Sequence, residues 1–343
     1  MQTKPARTFF FIPPLRKTAG GVAVIYRMAS FLREAGYEVA LVLRDPAGWR
    51  PDDLGLPEVD FSSLELTLDD LWVVPEGWVN ALAPGLAAGS RCLVYVQNWA
   101  YLFTGLPSGV DWRALPVTLL AVSRPVAWFV EQSLGVTAPV LRPGIDLGLF
   151  APSFVRPGIV PDSLAPPLVK PETLSVAYMP RKNKALADQV RAVIHARGRF
   201  AVKWVEVAGL DQDGVAAALR ECHAFLATGF PEGCPLPPLE AMASGAVPVG
   251  FAGFGGWDYM RQAAPGMYAP DCPLDLVPWG GNGYFAPDGD VLGAALGLEK
   301  ALQLWREGGG PLRAVLENCA STAEAYGLGP QRKAVLDFWG RLG

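Results

Sequence analysis

The stretch Phe230-Pro231-Glu232-Gly233-Cys234-Pro235-Leu236-Pro237-Pro238-Leu239-Glu240-Ala241-Met242-Ala243-Ser244-Gly245 lies between two short apolar runs, residues 224–227 and 247–250. Each run has strand length, and the segment between them holds a loop and a short helix, so the unit reads as strand, loop, helix, strand. Pro237-Pro238 suits a helix start, where missing N–H groups cost nothing, and Gly245 ends the helix. Two glutamates, Glu232 and Glu240, stand with seven residues between them, one in the loop and one on the helix. A carboxylate beside free N–H groups at a helix start fits a sugar nucleotide: it accepts from sugar or ribose hydroxyls while the N–H groups hold phosphate oxygens. Pro235, Pro237 and Pro238 have no N–H, so Gly233, Cys234, Leu236 and Leu239 must supply the donors. The plain structural alternative is a surface turn carrying two acids.

Outward from this unit, the same alternation runs through both halves of the chain, which is the signature of parallel α/β sheets. In the first half, residues 8–12, 38–43, 91–96 and 119–122 read as strands. Val22, Ile25, Met28, Ala29 and Leu32 mark one face of a helix that Gly36 ends, and residues 125–134 form another. In the second half, residues 174–178, 202–207, 224–227 and 247–250 read as strands, with helices over 184–196 and 214–221. Residues 152–171 contain six prolines and little periodicity, and read as a linker. The expected division is therefore a domain over 1–151, the linker, and a domain over 172–328. Residues 331–342 are amphipathic, so a C-terminal helix over 329–343 could cross back onto the first domain.

Bulk properties narrow the class. A chain of 343 residues suits two domains, and 51% hydrophobic with 18% charged residues supports a sizeable core. The net charge of −4 gives no basis for a nucleic-acid partner. Five cysteines without a Cys-x-x-Cys pair point to free thiols in a reducing, cytoplasmic compartment. The apolar run near the N-terminus stops at Pro13-Pro14, too short for a signal peptide, and no window approaches the about 18 apolar residues of a membrane span. Peripheral contact with the inner face of a membrane stays open. His195 and His223 are the only histidines, which excludes a His-rich metal site, and both read as surface or structural.

Three further segments carry candidate chemistry. Gly20-Gly21 falls between the first strand and the first helix, where glycine lets a ligand approach the backbone and the helix start favours anions; a tight turn explains it equally well. Arg181, Lys182 and Lys184 follow the first strand of the second half, at the strand end where open α/β sheets bind ligands and where cations can neutralise a leaving diphosphate. A solvated basic turn is the alternative. Asp211-Gln212-Asp213 and Asp288-Gly289-Asp290 match a metal-binding pair in form, but short acidic pairs beside glycine usually make turns or helix caps.

With Ala246-Val247-Pro248-Val249 added, the Glu232 to Glu240 block resembles the E-x7-E signature of retaining GT-B glycosyltransferases of the family 4 type. Gly20-Gly21, Ala121-Val122-Ser123, Val140-Leu141-Arg142-Pro143-Gly144-Ile145-Asp146 with Phe150, and Gly283-Tyr284-Phe285-Ala286-Pro287-Asp288-Gly289-Asp290 resemble other segments of that family in order. The resemblance implies two Rossmann-like domains facing each other across a cleft. It implies that Glu240 binds the ribose and that Glu232 contacts the sugar hydroxyls. Backbone N–H groups after Glu232 and at Gly20-Gly21 would hold the diphosphate and the sugar. Arg181, with Lys182 or Lys184 as its partner, would stabilise the departing diphosphate. The implied reaction is transfer with retention from a UDP-, GDP- or dTDP-sugar to a glycan or lipid-linked acceptor in polysaccharide biosynthesis, with no cofactor and no metal.

Two departures from the pattern stand out. Where many members carry a histidine near the reacting sugar, this chain reads Tyr95-Val96-Gln97-Asn98-Trp99-Ala100-Tyr101. Gln97 or Asn98 could donate a hydrogen bond there, but neither carries a proton near neutral pH. Trp99, Tyr101 and Phe103 are candidates to line an acceptor groove, although that alternation more often marks a strand face packing inward. Cys234-Pro235 also replaces a more common bulky residue and glycine. The missing histidine motivates a second reading, a GT-B-shaped protein that binds nucleotide sugars with little or no transfer. A metal-dependent GT-A-like transferase is a third.

Overall fold

The computed structural model describes residues 7–14, 20–45, 48, 50–51, 55–151 and 173–342. The linker expected over 152–171 lies outside the described residues. The chain forms two compact units, residues 1–144 with 329–343, and residues 145–328.

The first unit runs β1 (Thr8–Ile12), α1 (Gly20–Glu34), β2 (Val39–Leu43), β3 (Glu58–Asp60), β4 (Leu71–Pro75), α2 (Ala83–Ala88), β5 (Arg91–Val96), α3 (Tyr101–Thr104), β6 (Val117–Ala121) and α4 (Arg124–Leu134). Its six strands are ordered β3-β2-β1-β4-β5-β6 and every pairing is parallel. The run Thr8-Phe9-Phe10-Phe11-Ile12 is buried along its whole length because β1 lies between β2 and β4 with both faces covered. Strand β4 has the same all-buried character, and its Leu-Trp-Val-Val-Pro run was not read as a strand from the sequence. On α1 the buried residues include Val22, Ile25, Met28, Ala29 and Leu32, one face at helical spacing. Helix α4 starts where Ser123 Oγ accepts from the Val126 N–H and stops at Gly135, whose φ of +70° is left-handed.

The second unit runs α5 (Leu147–Phe150), β7 (Leu174–Tyr178), α6 (Lys184–Arg197), β8 (Val202–Glu206), α7 (Gln212–Arg220), β9 (Ala224–Ala227), α8 (Leu236–Ala243), β10 (Val247–Phe251), β11 (Tyr284–Ala286), α9 (Val291–Glu307) and α10 (Gly309–Ala325). Its parallel sheet is ordered β11-β10-β9-β7-β8. The division from the first unit falls after Gly144, not after residue 151. Ile145 N–H donates to the Tyr326 carbonyl at 2.8 Å, and Leu328 N–H donates to the Ile145 carbonyl at 3.1 Å. Phe150 then packs into the second unit's core with Ala177, Phe225 and Ala241. His223 is structural: its Nδ1 accepts from the Ser175 N–H at 3.1 Å, and its ring meets Trp305 edge-on.

The last helix, α11 (Leu328–Leu342), brings the chain's end into the first unit. Trp339 is fully buried, stacks on Phe10 at 5.9 Å and directs its indole N–H to Thr8 Oγ1 at 3.3 Å. Among the described residues no helix is long and apolar enough to cross a membrane.

Both sheets reverse direction at one place. In the first, β1 leads outward to β2 and β3, while β4 returns to its other side; in the second, β7 lies between β8 and β9. Loops leaving the carboxyl ends of two such neighbouring strands diverge, and the crevice between them is where open α/β sheets take ligands.

Candidate functional site

In the second unit, the loops after β7 and β9 carry the candidate cations and the first glutamate. The Lys182 ammonium donates to Glu232 Oε1 at 2.7 Å and lies 3.3 Å from the Pro231 carbonyl. Arg181 and Lys184 are exposed, and Lys184 is the first residue of α6. The lysine brought to the first glutamate is therefore Lys182. Asn183 binds the two loops together: its Nδ2 donates to the carbonyls of Thr228 and Phe230, each at 3.0 Å. Its φ of +55° is a left-handed conformation that asparagine tolerates better than most residues. Sequence reading passed over Asn183, although an Asn next to a helix start is a recognisable turn residue.

The Glu232 backbone is gripped by the loop after β10. Glu232 N–H donates to the Gly253 carbonyl at 2.9 Å, and Gly255 N–H donates to the Glu232 carbonyl at 3.0 Å. The approach requires glycine. A Cβ on Gly253, where φ is +62°, would meet Glu232 Cβ at 2.7 Å, and one on Gly255 would overlap the Gly233 carbonyl oxygen. Gly253 N–H also donates to Asp288 Oδ1 at 2.9 Å, which places a second carboxylate near Glu232. Burial raises the Asp288 pKa and the Glu232 charge adds to the rise, against the Gly253 hydrogen bond. Asp288 thus has a place at this site, whereas Asp211 and Asp290 cap α7 and α9 by accepting from Gly214 and Gly293. Among the described residues no three His, Cys, Asp or Glu side chains converge as a metal site.

Gly233 is buried and Cys234 half-buried at the turn into α8. The helix begins at Leu236 with prolines in its first turn, and the buried Tyr259 hydroxyl donates to the Pro235 carbonyl at 2.6 Å, fixing the entry. Glu240 is half-buried one turn further on, and Gly245 closes the helix at a φ of +78°. The local sequence dictates this: three prolines suppress helix before Leu236, and glycine takes the left-handed stop.

In the first unit, the start of α1 and the loop after β5 meet. Gly20 and Gly21 are the first residues of α1 and not a free loop before it. Gln97 Nε2 donates to the Gly21 carbonyl at 2.8 Å, and a Cβ on Gly21 would meet Gln97 Oε1 at 2.7 Å. A side chain at this position would displace the Gln97 amide from its place on α1. Asn98 is buried and its Oδ1 accepts from the Ala100 N–H at 3.1 Å. Trp99 is half-buried against Phe129 at 5.5 Å. The alternation Trp99, Tyr101, Phe103 is not a strand face: Tyr101 and Phe103 lie on α3 and are exposed, because the chain turns into a short helix after Asn98.

Beneath this loop lies a residue that sequence reading missed. Glu76, directly after β4, is 3% exposed. Its Oε2 accepts from the Gln97 N–H at 3.0 Å and its Oε1 from the Asn98 N–H at 2.8 Å. Burial raises its pKa from 4.5 to about 7, against these backbone hydrogen bonds. The signal for it was present: an acid directly after a buried apolar run, at the carboxyl end of a central strand.

These two parallel sheets and their helices form the GT-B fold, two Rossmann-like domains. No protein-family model matches the chain. Sucrose-phosphate synthase from Thermosynechococcus elongatus aligns over 98% of this chain and 99% of its own, with a TM-score of 0.66 and 13% identity. HepE from Anabaena, solved in complex with UDP and glucose, aligns over 97% and 99%, with a TM-score of 0.66 and 13% identity. A glycosyltransferase from Rickettsia africae aligns over 98% of each chain, with a TM-score of 0.69 and 12% identity. In sequence, the chain is 25% identical over 249 residues to an alpha-1,6-glucosyltransferase of Actinobacillus pleuropneumoniae serotype 7 (strain AP76), spanning 70% of this chain and 71% of that protein.

Proposed function

We propose that this chain is a glycosyltransferase that moves a sugar from a nucleotide-sugar donor to a hydroxyl of a glycan or lipid-linked acceptor, with retention of anomeric configuration and without a metal or cofactor. It acts in the cytoplasm, in contact with the inner face of the membrane where the acceptor is lipid-linked. The observation that carries the reading is the Lys182–Glu232 contact beside Gly233 and the start of α8, at the ends of adjacent strands β7 and β9. Without donor, each charge neutralises the other. With donor, Lys182 and Arg181 meet the diphosphate, Glu232 takes the sugar hydroxyls, and Glu240 takes the ribose. The bond between the anomeric carbon and the diphosphate oxygen breaks. The acceptor oxygen bonds to the same face of that carbon, and its proton passes to the leaving phosphate oxygen. The sequence likeness to an alpha-1,6-glucosyltransferase supports the reaction class, and the structural likeness to a protein holding UDP and glucose supports the donor class.

The test is a panel of UDP-, GDP- and dTDP-sugars, followed by nucleoside-diphosphate release and by the anomeric proton coupling of the product. Glu240→Ala and Arg181→Ala should each lower transfer at least tenfold. Wild-type rates in both variants would remove these residues from the site. An inverted product would remove retention, and loss of activity in EDTA would remove metal independence. Nucleotide binding without turnover would make the chain a binding protein.

A further inference from the structure

We propose that Glu76 is a positioning residue for sugar transfer, its carboxylate holding the Gln97–Asn98 backbone so that Gln97 is seated on Gly21 at the start of α1. The proposal rests on the glycosyltransferase reading.

The topology brings these groups together. Strand β4 lies between β1 and β5, so the residue directly after it emerges between the loops that follow those two strands. Each Glu76 oxygen takes one N–H, from Gln97 at 3.0 Å and from Asn98 at 2.8 Å. The oriented Gln97 then reaches the Gly21 carbonyl at 2.8 Å. The following turn adds a floor: a Cβ on Gly105 would meet Gly77 Cα at 3.0 Å, so the end of α3 rests on the residue after Glu76. A glutamine in place of Glu76 could accept only one of the two N–H groups and would turn its own N–H toward the other. Leaving a buried donor unmatched disturbs the loop more than it disturbs the sheet beneath.

The carboxyl is governed by burial and backbone N–H groups. On the elements packed against its turn, Asp70 at the start of β4 is paired with Arg7, and Arg91 lies at the opposite end of β5. The Tyr95 hydroxyl donates to the Leu141 carbonyl, Cys92 lies against Gly85, Tyr101 is exposed, and α2 carries no titratable side chain. With the carboxyl titrating at about 7, the two-pronged acceptor is complete only above that pH.

The experiment uses the full chain and its best donor and acceptor, with kcat followed from pH 5.5 to 8.5, UDP binding by calorimetry, and amide exchange normalised to intrinsic rates. Glu76→Gln should lower kcat at least tenfold at pH 8 and leave the UDP dissociation constant within twofold. It should also abolish a limb near pH 7 that the wild type shows, and speed exchange at Gln97 and Asn98 at least tenfold while Val94 stays protected. Should Glu76→Gln not fold, Gln97→Ala, which keeps the carboxylate and its two N–H bonds, must show the kcat loss and lose the pH limb, because the side chain that Glu76 positions is gone. A kcat within twofold of wild type, an unchanged pH limb, or a loss of protection spread through the whole first unit would each overturn the proposal. A wild type that transfers no sugar from any donor sinks the function and this role together, whereas equal transfer by wild type and Glu76→Gln sinks the role of Glu76 alone.

Discussion

The Lys182 ammonium donates to the Glu232 carboxylate at 2.7 Å, joining the loop after β7 to the loop after β9. Both side chains stay open to solvent, at 38% and 24% relative exposure. A pair that open contributes about 0–1 kcal/mol to stability, so the contact orients the two groups more than it holds the fold.

Lys182→Ala should therefore leave thermal stability almost unchanged, with a loss under about 1 kcal/mol. Transfer should fall about a hundredfold, the scale seen when one charge-stabilising donor is removed from a transition state. Thermal melts and steady-state kinetics on the same preparation check this. A melting loss large enough to explain the rate loss would mean the lysine is structural.

Gly253→Ala puts a methyl group against Glu232 Cβ and the Gly229 carbonyl, at a φ of +62° that alanine adopts with strain. The expected cost is about 1–3 kcal/mol in urea unfolding. Because Gly253 fixes both the Glu232 backbone and Asp288, nucleotide-sugar affinity should also drop at least tenfold, measured by calorimetry.

Glu76 makes stability depend on pH in a defined window. In the unfolded chain its carboxyl loses the proton near 4.5, while the folded protein retains it up to about 7. Between these values the unfolded state binds fewer protons, so stability falls as pH rises and levels off above about 7. The fall attributable to this group is about 3 kcal/mol. Urea melts from pH 4.5 to 8 should show that component in the wild type and its absence in Glu76→Gln. Parallel curves for the two proteins would refute it.

Trp339 on α11 is fully buried, stacked on Phe10 and bonded to Thr8 of the central strand. Trp339→Ala should cost about 3–5 kcal/mol, visible as a melting shift of the first unit. Nucleotide binding by the second unit should survive where the melt remains above the assay temperature.

Much of this arrangement is legible in the chain itself. Strands β1, β5, β7 and β9 are short buried apolar runs that announce themselves, and α1 shows its buried face at helical spacing. The start and stop of α8 follow from local chemistry, since prolines and glycine act on their own backbone. Strands β3 and β11 have three residues each, too few to show a pattern, whereas β4 is a buried apolar run like β1 that sequence reading passed over.

The sequence by itself determined the two α/β halves, the glutamate-bearing segment and the cationic loop, because these depend on residue type and on contacts a few positions apart. Only the tertiary structure decided which groups meet. Lys182 and not Lys184 reaches Glu232, across 50 positions of chain, because β7 and β9 are neighbours in the sheet. Glu76 lies under Gln97, and Gln97 against Gly21, because β1, β4 and β5 are adjacent though far apart in sequence. Strand order is set by how the whole sheet buries its faces, and that sum over distant residues leaves no mark at any single position.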